Sequence, residues 1–210
     1  MSDAQRLFDI DAVSDHFERS LTGDDDIDLP LYVAAYRELN KLFTLLGAVF
    51  AFVRSDVEEK ESILADLYAS NPKHYATVRS MISWECRHGM PEEKGSRTLL
   101  RLHRALQFVN DFLVSLKDSP DDVQVSWLCR RSYERTLSKY HGWLIRKGVE
   151  VASHTLSSRR LLVQAIVGPN RHLPSEERVN DAIRRMLNAS TLVCERVQQL
   201  FARNHLLNLP

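Results

Sequence analysis

The chain has 210 residues, of which 44% are hydrophobic, and this length suits one domain with a sizeable buried core. Its 28 basic residues balance its 28 acidic residues, so the composition gives no electrostatic reason to expect a nucleic acid partner. We therefore expect a single domain over residues 1–210, in which any charge-dependent function is confined to a local cluster of side chains.

The cysteines and the N-terminal residues indicate the compartment. The chain has three cysteines, at Cys86, Cys129 and Cys194, and no C-x-x-C pair. This odd number and wide spacing favour neither a disulfide framework nor a zinc site. The first residues of the sequence do not follow the order of a secretory signal, in which basic residues precede an apolar stretch and then small residues. No window holds the ~18 uninterrupted apolar residues of a membrane span. These features predict a soluble cytoplasmic protein that meets membranes peripherally, without a metal or another cofactor.

Apolar residues recur every three or four positions along most of the chain, which is the period of an α-helix. Strand-like alternation is not sustained anywhere, so the sequence predicts an all-α fold. Proline after a capping residue at Asn71-Pro72 and Ser119-Pro120 predicts two helix starts, and Ser175 with the acids after it predicts another. The predicted helices cover 7–21, 31–68 (straight or kinked), a segment from Pro72, 97–116, a segment from Pro120, 129–155, 158–167 and 175–204.

The segment at 98–116 is apolar around almost its whole circumference, which indicates a helix inside the protein. Arg97, Arg101 and Arg104 are spaced four and three residues apart, so they share one stripe of this helix. A guanidinium beside buried apolar surface needs an anion, and arginine can bind a carboxylate or a phosphate through two parallel hydrogen bonds. The spacing alone leaves three alternatives open, namely an internal acid, a ligand, or a side chain that reaches solvent.

Two further polar features lie among apolar residues. Asp56 and Lys60 are four residues apart and face the same way from one helix, either as part of a site or as a surface ion pair. The capping-box spacing also allows Asp56 to begin a new helix. His141 lies in an apolar segment, where a lone histidine is either a structural residue or a ligand contact.

Several separated segments together resemble the glycolipid transfer protein superfamily, and they are most similar to its members that carry ceramide-1-phosphate. The residues that carry this resemblance span nearly the whole chain, at 50–60, 97–106, Tyr133, 140–143 and 206–210. The resemblance implies an all-α, two-layer helical sandwich of about eight helices that encloses a hydrophobic lipid pocket. It also implies a carrier that transfers lipid between membranes without catalysis.

The resemblance is most informative about the lipid headgroup. Sugar-binding members carry asparagine at the position of Lys60, lysine at Ile63, leucine at Arg97 and a sugar-stacking tryptophan at Arg101. An indole suits a sugar ring, whereas a guanidinium suits a phosphate. The resemblance therefore implies that Lys60, Arg97 and Arg101 form a phosphate cradle. Arg104 has no role in the resemblance, and we expect it to pair with an internal acid.

The resemblance and the apolar pattern also suggest the remaining contacts. By resemblance, Asp56 accepts a hydrogen bond from the ceramide amide N–H, and His141 donates one to the amide carbonyl. Trp143 is expected to contact the membrane, because indole favours the interface between headgroups and acyl chains. The apolar pattern predicts a lipid-chain pocket whose walls include Phe43, Phe50, Phe52, Leu106 and Val151.

Other functions remain open at this stage. One is transfer of a neutral glycosphingolipid, and another is a lipid-sensing module that binds a protein. An enzyme is disfavoured, because the sequence contains no H-E-x-x-H, no G-x-S-x-G and no glycine-rich phosphate loop. We expect a monomer that binds ceramide-1-phosphate and contacts membrane surfaces transiently.

Overall fold

The structure is a computed structural model that describes residues 8–23, 25–89, 94–167 and 175–210. The α-helices in these residues are α1 (Ile10–Ser20), α2 (Leu29–Leu45), α3 (Ala51–Ser70), α4 (Pro72–Tyr75), α5 (Val78–Arg87), α6 (Gly95–Lys117), α7 (Val125–Thr136), α8 (Trp143–Ser153), α9 (Arg159–Val167) and α10 (Glu176–Arg203). Two-residue strands β1 (Leu21–Thr22) and β2 (Asp26–Ile27) pair antiparallel, and 3-10 helices cover Ala48–Phe50 and Ser138–Tyr140. The all-α prediction is confirmed.

Two of the three helix starts predicted from proline or capping residues are confirmed, at Pro72 and after Ser175. The Asp9 carboxylate accepts hydrogen bonds from backbone N–H groups in the first turn of α1, whose predicted start at residue 7 lies outside the described residues. Helix α4 begins at Pro72 as predicted, although the Asn71 side chain makes no capping hydrogen bond. The Ser175 hydroxyl accepts a hydrogen bond from the Arg178 N–H and begins α10, whereas the preceding proline lies outside the described residues.

The predicted helix start at Pro120 is wrong, because the chain forms a turn there and α7 begins only at Val125. Arg159 explains the difference. Its guanidinium donates to the Leu116 carbonyl oxygen at 2.7 Å and to the Asp121 carboxylate at 2.5 Å. These contacts hold the segment after α6 against the start of α9, and the Val123 N–H closes a turn by donating to the Pro120 carbonyl oxygen at 3.2 Å.

Two predicted long helices are interrupted. The segment 31–68 divides between α2 and α3 at Gly47, whose φ of 104° lies in the left-handed region that favours glycine. The segment 129–155 is not one helix, because the backbone is extended at His141 and Gly142, between α7 and α8. Apolar residues continue through this break at helical spacing, so the periodicity did not reveal it.

Five helices contact one another in a closed series within the two-layer sandwich: α1 packs on α2, α2 on α3, α3 on α6, α6 on α10, and α10 on α1. Each buried Leu, Ile or Phe side chain contributes about 1.5–3 kcal/mol relative to exposure, so these apolar faces hold the helices together. Fully buried side chains on this series include Phe17, Tyr32, Leu39, Leu64, Leu99 and Phe201. Helix α6 also contacts α5 and α7, so it lies at the centre of the fold, as its apolar circumference predicted.

Candidate functional site

Helices α3 and α6 contact each other and form a surface cleft of about 480 Å³. The residues that line this cleft, called here the headgroup cleft, are Asp56, Glu59, Lys60, Ile63, Asp66, Leu67, Ser70, Lys94, Arg97, Thr98 and Arg101. The structure therefore brings Lys60, Arg97 and Arg101 together, and Asp56 lies beside them. Spacing along the sequence placed these residues on two helices but did not establish that the helices face each other.

The headgroup cleft contains four cations and three carboxylates, so its net charge is one positive unit. Glu59 and Asp66 line the cleft as well as Asp56, so the positive excess is smaller than Lys60, Arg97 and Arg101 with Asp56 alone would give. Within the described residues, neither the Arg97 nor the Arg101 guanidinium forms an ion pair with a carboxylate. The two arginines therefore supply positive charge that the described protein does not pair.

Asp56 and Lys60 form an ion pair across one turn of α3, with the Lys60 Nζ 2.6 Å from Asp56 Oδ1. The Lys60 side chain is only 12% exposed, whereas that of Asp56 is 62% exposed. The carboxylate thus keeps acceptor capacity toward solvent while the ammonium holds it in place. The alternative that Asp56 begins a helix is wrong, because it lies in the second turn of α3.

His141 lies in the extended break between α7 and α8 and is half-buried. Its Nδ1 is 2.8 Å from the Tyr133 hydroxyl oxygen. Burial lowers the pKa of His141, and the charges of Asp56 and Lys60 act on the same ring in opposite directions, so the imidazole lies near their ion pair. If the Tyr133 hydroxyl donates to Nδ1, the neutral ring carries its proton on Nε2 and can donate a second hydrogen bond.

The residues after this break are exposed and apolar. Trp143 is 67% exposed, and Leu144 and Ile145 next to it are exposed as well. Arg146 and Lys147 follow on the same helix and are also exposed. Among the described residues, no helix has the length and apolar character needed to cross a bilayer.

The five predicted chain-pocket residues fall into two groups. Phe43, Phe50 and Leu106 are buried in the core. Phe52 and Val151 are 48% and 65% exposed, so in this structure they lie at the surface and form no internal wall. Helix α8 buries only the two residues that follow Val151, and Phe52 lies in the exposed first turn of α3.

Arg104 lies on the stripe of Arg97 and Arg101 but is buried. The prediction of an internal acid as its partner is wrong. Its guanidinium donates to the Leu207 and Leu209 carbonyl oxygens at 2.9 Å and 3.2 Å, and its Cζ lies 3.9 Å from the centre of the Tyr140 ring. Arg104 therefore joins α6 to the last residues of the chain and to the residue that precedes His141.

Sequence reasoning missed three charged residues of the headgroup cleft. Glu59 and Asp66 follow Asp56 at helical spacing on the same face of α3, and this spacing was a signal that could have found them. Lys94 precedes the first residue of α6, so no helical pattern included it.

Comparison with known proteins defines the class of this protein. Residues 27–168 match the family described as Glycolipid transfer protein (GLTP). The chain belongs to this family. It is 33% identical over 221 residues to the ceramide-1-phosphate transfer protein of Mus musculus, with 100% of both chains covered.

Solved structures agree with the sequence match. The crystal structure of mouse ceramide-1-phosphate transfer protein in its apo form is similar at a TM-score of 0.89 and 33% identity, covering 97% of this chain and 100% of that chain. The human protein in complex with 12:0 ceramide-1-phosphate gives a TM-score of 0.87 at 32% identity, with the same coverage. The fold expected from the sequence is therefore the fold of the family.

Proposed function

We propose that this protein binds ceramide-1-phosphate and transfers it between membranes as a monomeric carrier. The observation that carries the proposal is the convergence of Lys60, Arg97 and Arg101 on one cleft in which both arginines lack a carboxylate partner among the described residues. The relatives support it, since the mouse protein matches over its whole length and the human protein holds this lipid.

The phosphate occupies the headgroup cleft in this proposal. Arg97 and Arg101 donate charge-assisted hydrogen bonds to phosphate oxygens, which are stronger than hydrogen bonds between neutral groups. Lys60 completes the cradle from α3, where its ammonium is already held by Asp56. A neutral sugar leaves both guanidiniums without an anion, so the charge of the cleft favours the phosphate lipid over a glycosphingolipid.

Two groups recognise the ceramide amide. The exposed carboxylate of Asp56 accepts a hydrogen bond from the amide N–H, and His141 donates from Nε2 to the amide carbonyl. The Tyr133 hydroxyl supports this role, because it contacts Nδ1 and leaves the Nε2 proton for the lipid. The lowered pKa of His141, caused first by burial, favours the neutral ring that this arrangement needs.

The lipid chains enter the apolar core near Phe43, Phe50 and Leu106. These side chains are packed in the present structure, so chain entry requires the layers of the sandwich to separate locally. Phe52 and Val151 are exposed and form the rim that covers the chains once they are bound.

Membrane contact is peripheral and transient. Trp143 inserts at the level of the headgroups together with its exposed apolar neighbours, and Arg146 and Lys147 add attraction to anionic lipid. The carrier acts in the cytoplasm as one domain over residues 1–210, without a cofactor and without covalent chemistry. Membership of a lipid-transfer family supports the assignment to a carrier and not to an enzyme.

A competition assay tests the proposal. Donor vesicles contain labelled ceramide-1-phosphate, and unlabelled ceramide-1-phosphate or a neutral glycosphingolipid of the same chain lengths competes for transfer. We expect at least about tenfold stronger competition by the phosphate lipid, equivalent to ~1.4 kcal/mol. Equal competition would favour glycosphingolipid transfer, and protein that transfers neither lipid would favour an interaction module.

A further inference from the structure

Glu85 lies on α5, outside the headgroup cleft, and is 1% exposed. Its carboxylate accepts four hydrogen bonds. The donors are the Gly95 N–H at 2.8 Å, the Ser96 N–H at 2.8 Å, the Ser96 hydroxyl at 2.6 Å and the Tyr75 hydroxyl at 3.2 Å. Both carboxylate oxygens are thus used, and three of the four donors belong to the first two residues of α6.

These contacts fix the beginning of the helix that carries the arginines. The first N–H groups of an α-helix have no partner within the helix, and here the Glu85 carboxylate supplies one for two of them. Gly95 and Ser96 lie between Lys94 and Arg97, both of which line the headgroup cleft. The buried Glu85 therefore holds the stretch of backbone from which the Lys94 and Arg97 side chains extend.

Gly95 is packed closely against two side chains of α5. A Cβ atom on Gly95 would lie 2.6 Å from Met81 Sδ and 2.7 Å from Glu85 Oε1, distances that real Cβ atoms do not show. The N-terminal end of α6 is thus in close contact with α5, and no side chain larger than hydrogen fits at Gly95 unless Met81 and Glu85 shift.

Glu85 occupies two of the N–H groups at this helix end, a kind of group that in other proteins binds phosphate directly. The Gly95 and Ser96 N–H groups are therefore already hydrogen-bonded within the protein, which gives the side chains that line the cleft the larger part in recognising an anion. Lys94 and Arg97 directly flank the two positions whose backbone Glu85 holds.

We propose that Glu85 is a positioning residue for phosphate recognition, which holds the first turn of α6 so that Lys94 and Arg97 face the headgroup. This inference rests on the proposed function. Glu85 does not contact the lipid. Its loss therefore weakens binding of the phosphate headgroup and leaves contacts to the ceramide amide, made from α3 and from the break before α8, unchanged.

The experiment compares two lipids that differ only in the phosphate. Binding of ceramide-1-phosphate and of neutral ceramide with the same chains is measured in phosphatidylcholine vesicles for the full chain and for Glu85→Gln. In glutamine an NH2 group, which is a donor, replaces one of the two acceptor oxygens. This NH2 group then faces a donor of α6 and cannot accept its hydrogen bond. We expect about tenfold weaker ceramide-1-phosphate binding and less than about twofold change for ceramide, since a hydrogen bond to a charged group is involved.

Two further variants separate positioning from general stability. Asp26→Asn alters another buried carboxylate, which accepts the Ile27 and Arg79 N–H groups and does not line the cleft. We expect it to lower the melting temperature without changing the preference between the two lipids. Ser96→Ala removes one of the four donors and leaves the backbone N–H in place, so we expect a smaller loss, about threefold, that is again confined to the phosphate lipid.

The outcomes are distinguishable. Equal losses for both lipids in folded Glu85→Gln, or no loss for either, would overturn the positioning role. If Glu85→Gln does not fold, Ser96→Ala decides in the same assay, and an unchanged lipid preference overturns the role. If the wild-type chain itself binds ceramide as tightly as ceramide-1-phosphate, the proposed function fails, and the inference that rests on it fails with it.

Discussion

Substitution of Arg101 by alanine gives the sharpest test of the headgroup assignment. The change removes one of four cations from a cleft with three carboxylates, so the net charge of the cleft falls from one positive unit to zero. Arg101 is exposed and has no ion-pair partner among the described residues, so its removal leaves no buried carboxylate unpaired. Burial is the main cause that lowers the pKa of the Arg104 guanidinium, and the positive charge of Arg101 lowers it as well. The substitution therefore removes a repulsion between Arg101 and Arg104. We therefore expect the variant to fold normally.

The expected loss of binding follows from the hydrogen bonds that the guanidinium would make to phosphate. A hydrogen bond to a charged group contributes about 1.5–3 kcal/mol, and the exposure of Arg101 favours the lower end of this range. We expect about tenfold weaker binding and transfer of ceramide-1-phosphate, with little change for neutral ceramide. The assay is transfer of labelled lipid between vesicles, with binding measured separately. Because the lost interaction is ionic, the difference from wild type should shrink as salt is added.

Arg203→Ala provides a matched control, because Arg203 is an exposed residue at the end of α10 and does not line the headgroup cleft. It removes the same charge from the whole chain, and we expect unchanged transfer. Transfer of ceramide-1-phosphate by Arg101→Ala at the wild-type rate and affinity would refute the assignment of this arginine to the phosphate.

Three other substitutions test the membrane contact, a buried acid and the start of α6. Trp143→Ala should lower association with vesicles severalfold in a flotation assay, without changing the preference between phosphate and neutral lipids. Burial raises the pKa of Glu61 to about 7, and its Oε1 has no hydrogen-bond partner. A raised carboxyl pKa destabilises the fold as pH rises above the unfolded value, so Glu61→Gln should increase the free energy of unfolding at pH 8 by on the order of 1–2 kcal/mol, and by less at pH 5. Gly95→Ala should destabilise by about 1–3 kcal/mol in chemical denaturation, because its Cβ would overlap Met81.

Each of these has a clear contrary result. Unchanged vesicle association of Trp143→Ala would show that the membrane is contacted elsewhere. A stability gain for Glu61→Gln that is the same at pH 5 and pH 8 would show that ionisation is not its cause. Wild-type stability of Gly95→Ala would show that α5 and α6 can separate at this point without cost.

The sequence predicted contacts within one helix better than contacts between helices. The spacing of Asp56 and Lys60 allowed an ion pair as one alternative, and they form it because one turn of helix separates them; the spacing of Arg97 and Arg101 placed both on one stripe for the same reason. Periodicity carries no information about which helices face each other. The resemblance to a family supplied that information.

Other features depend on contacts that no local pattern records. The partner of Arg104 is the backbone near the end of the chain, more than 100 positions away, and backbone carbonyls are the same in every sequence. The break at His141 interrupts an apolar pattern that continues on both sides of it. Glu85 could have been assigned to the surface as a charged residue, and only the structure reveals the helix end that it holds.

The break between α7 and α8 has a further consequence. Only Gly142 separates His141, which contacts Tyr133 and lies near Asp56, from Trp143, which projects from the surface. The extended backbone that joins them places the proposed amide donor and the proposed bilayer contact on one three-residue segment, so a displacement of this backbone would carry both side chains with it.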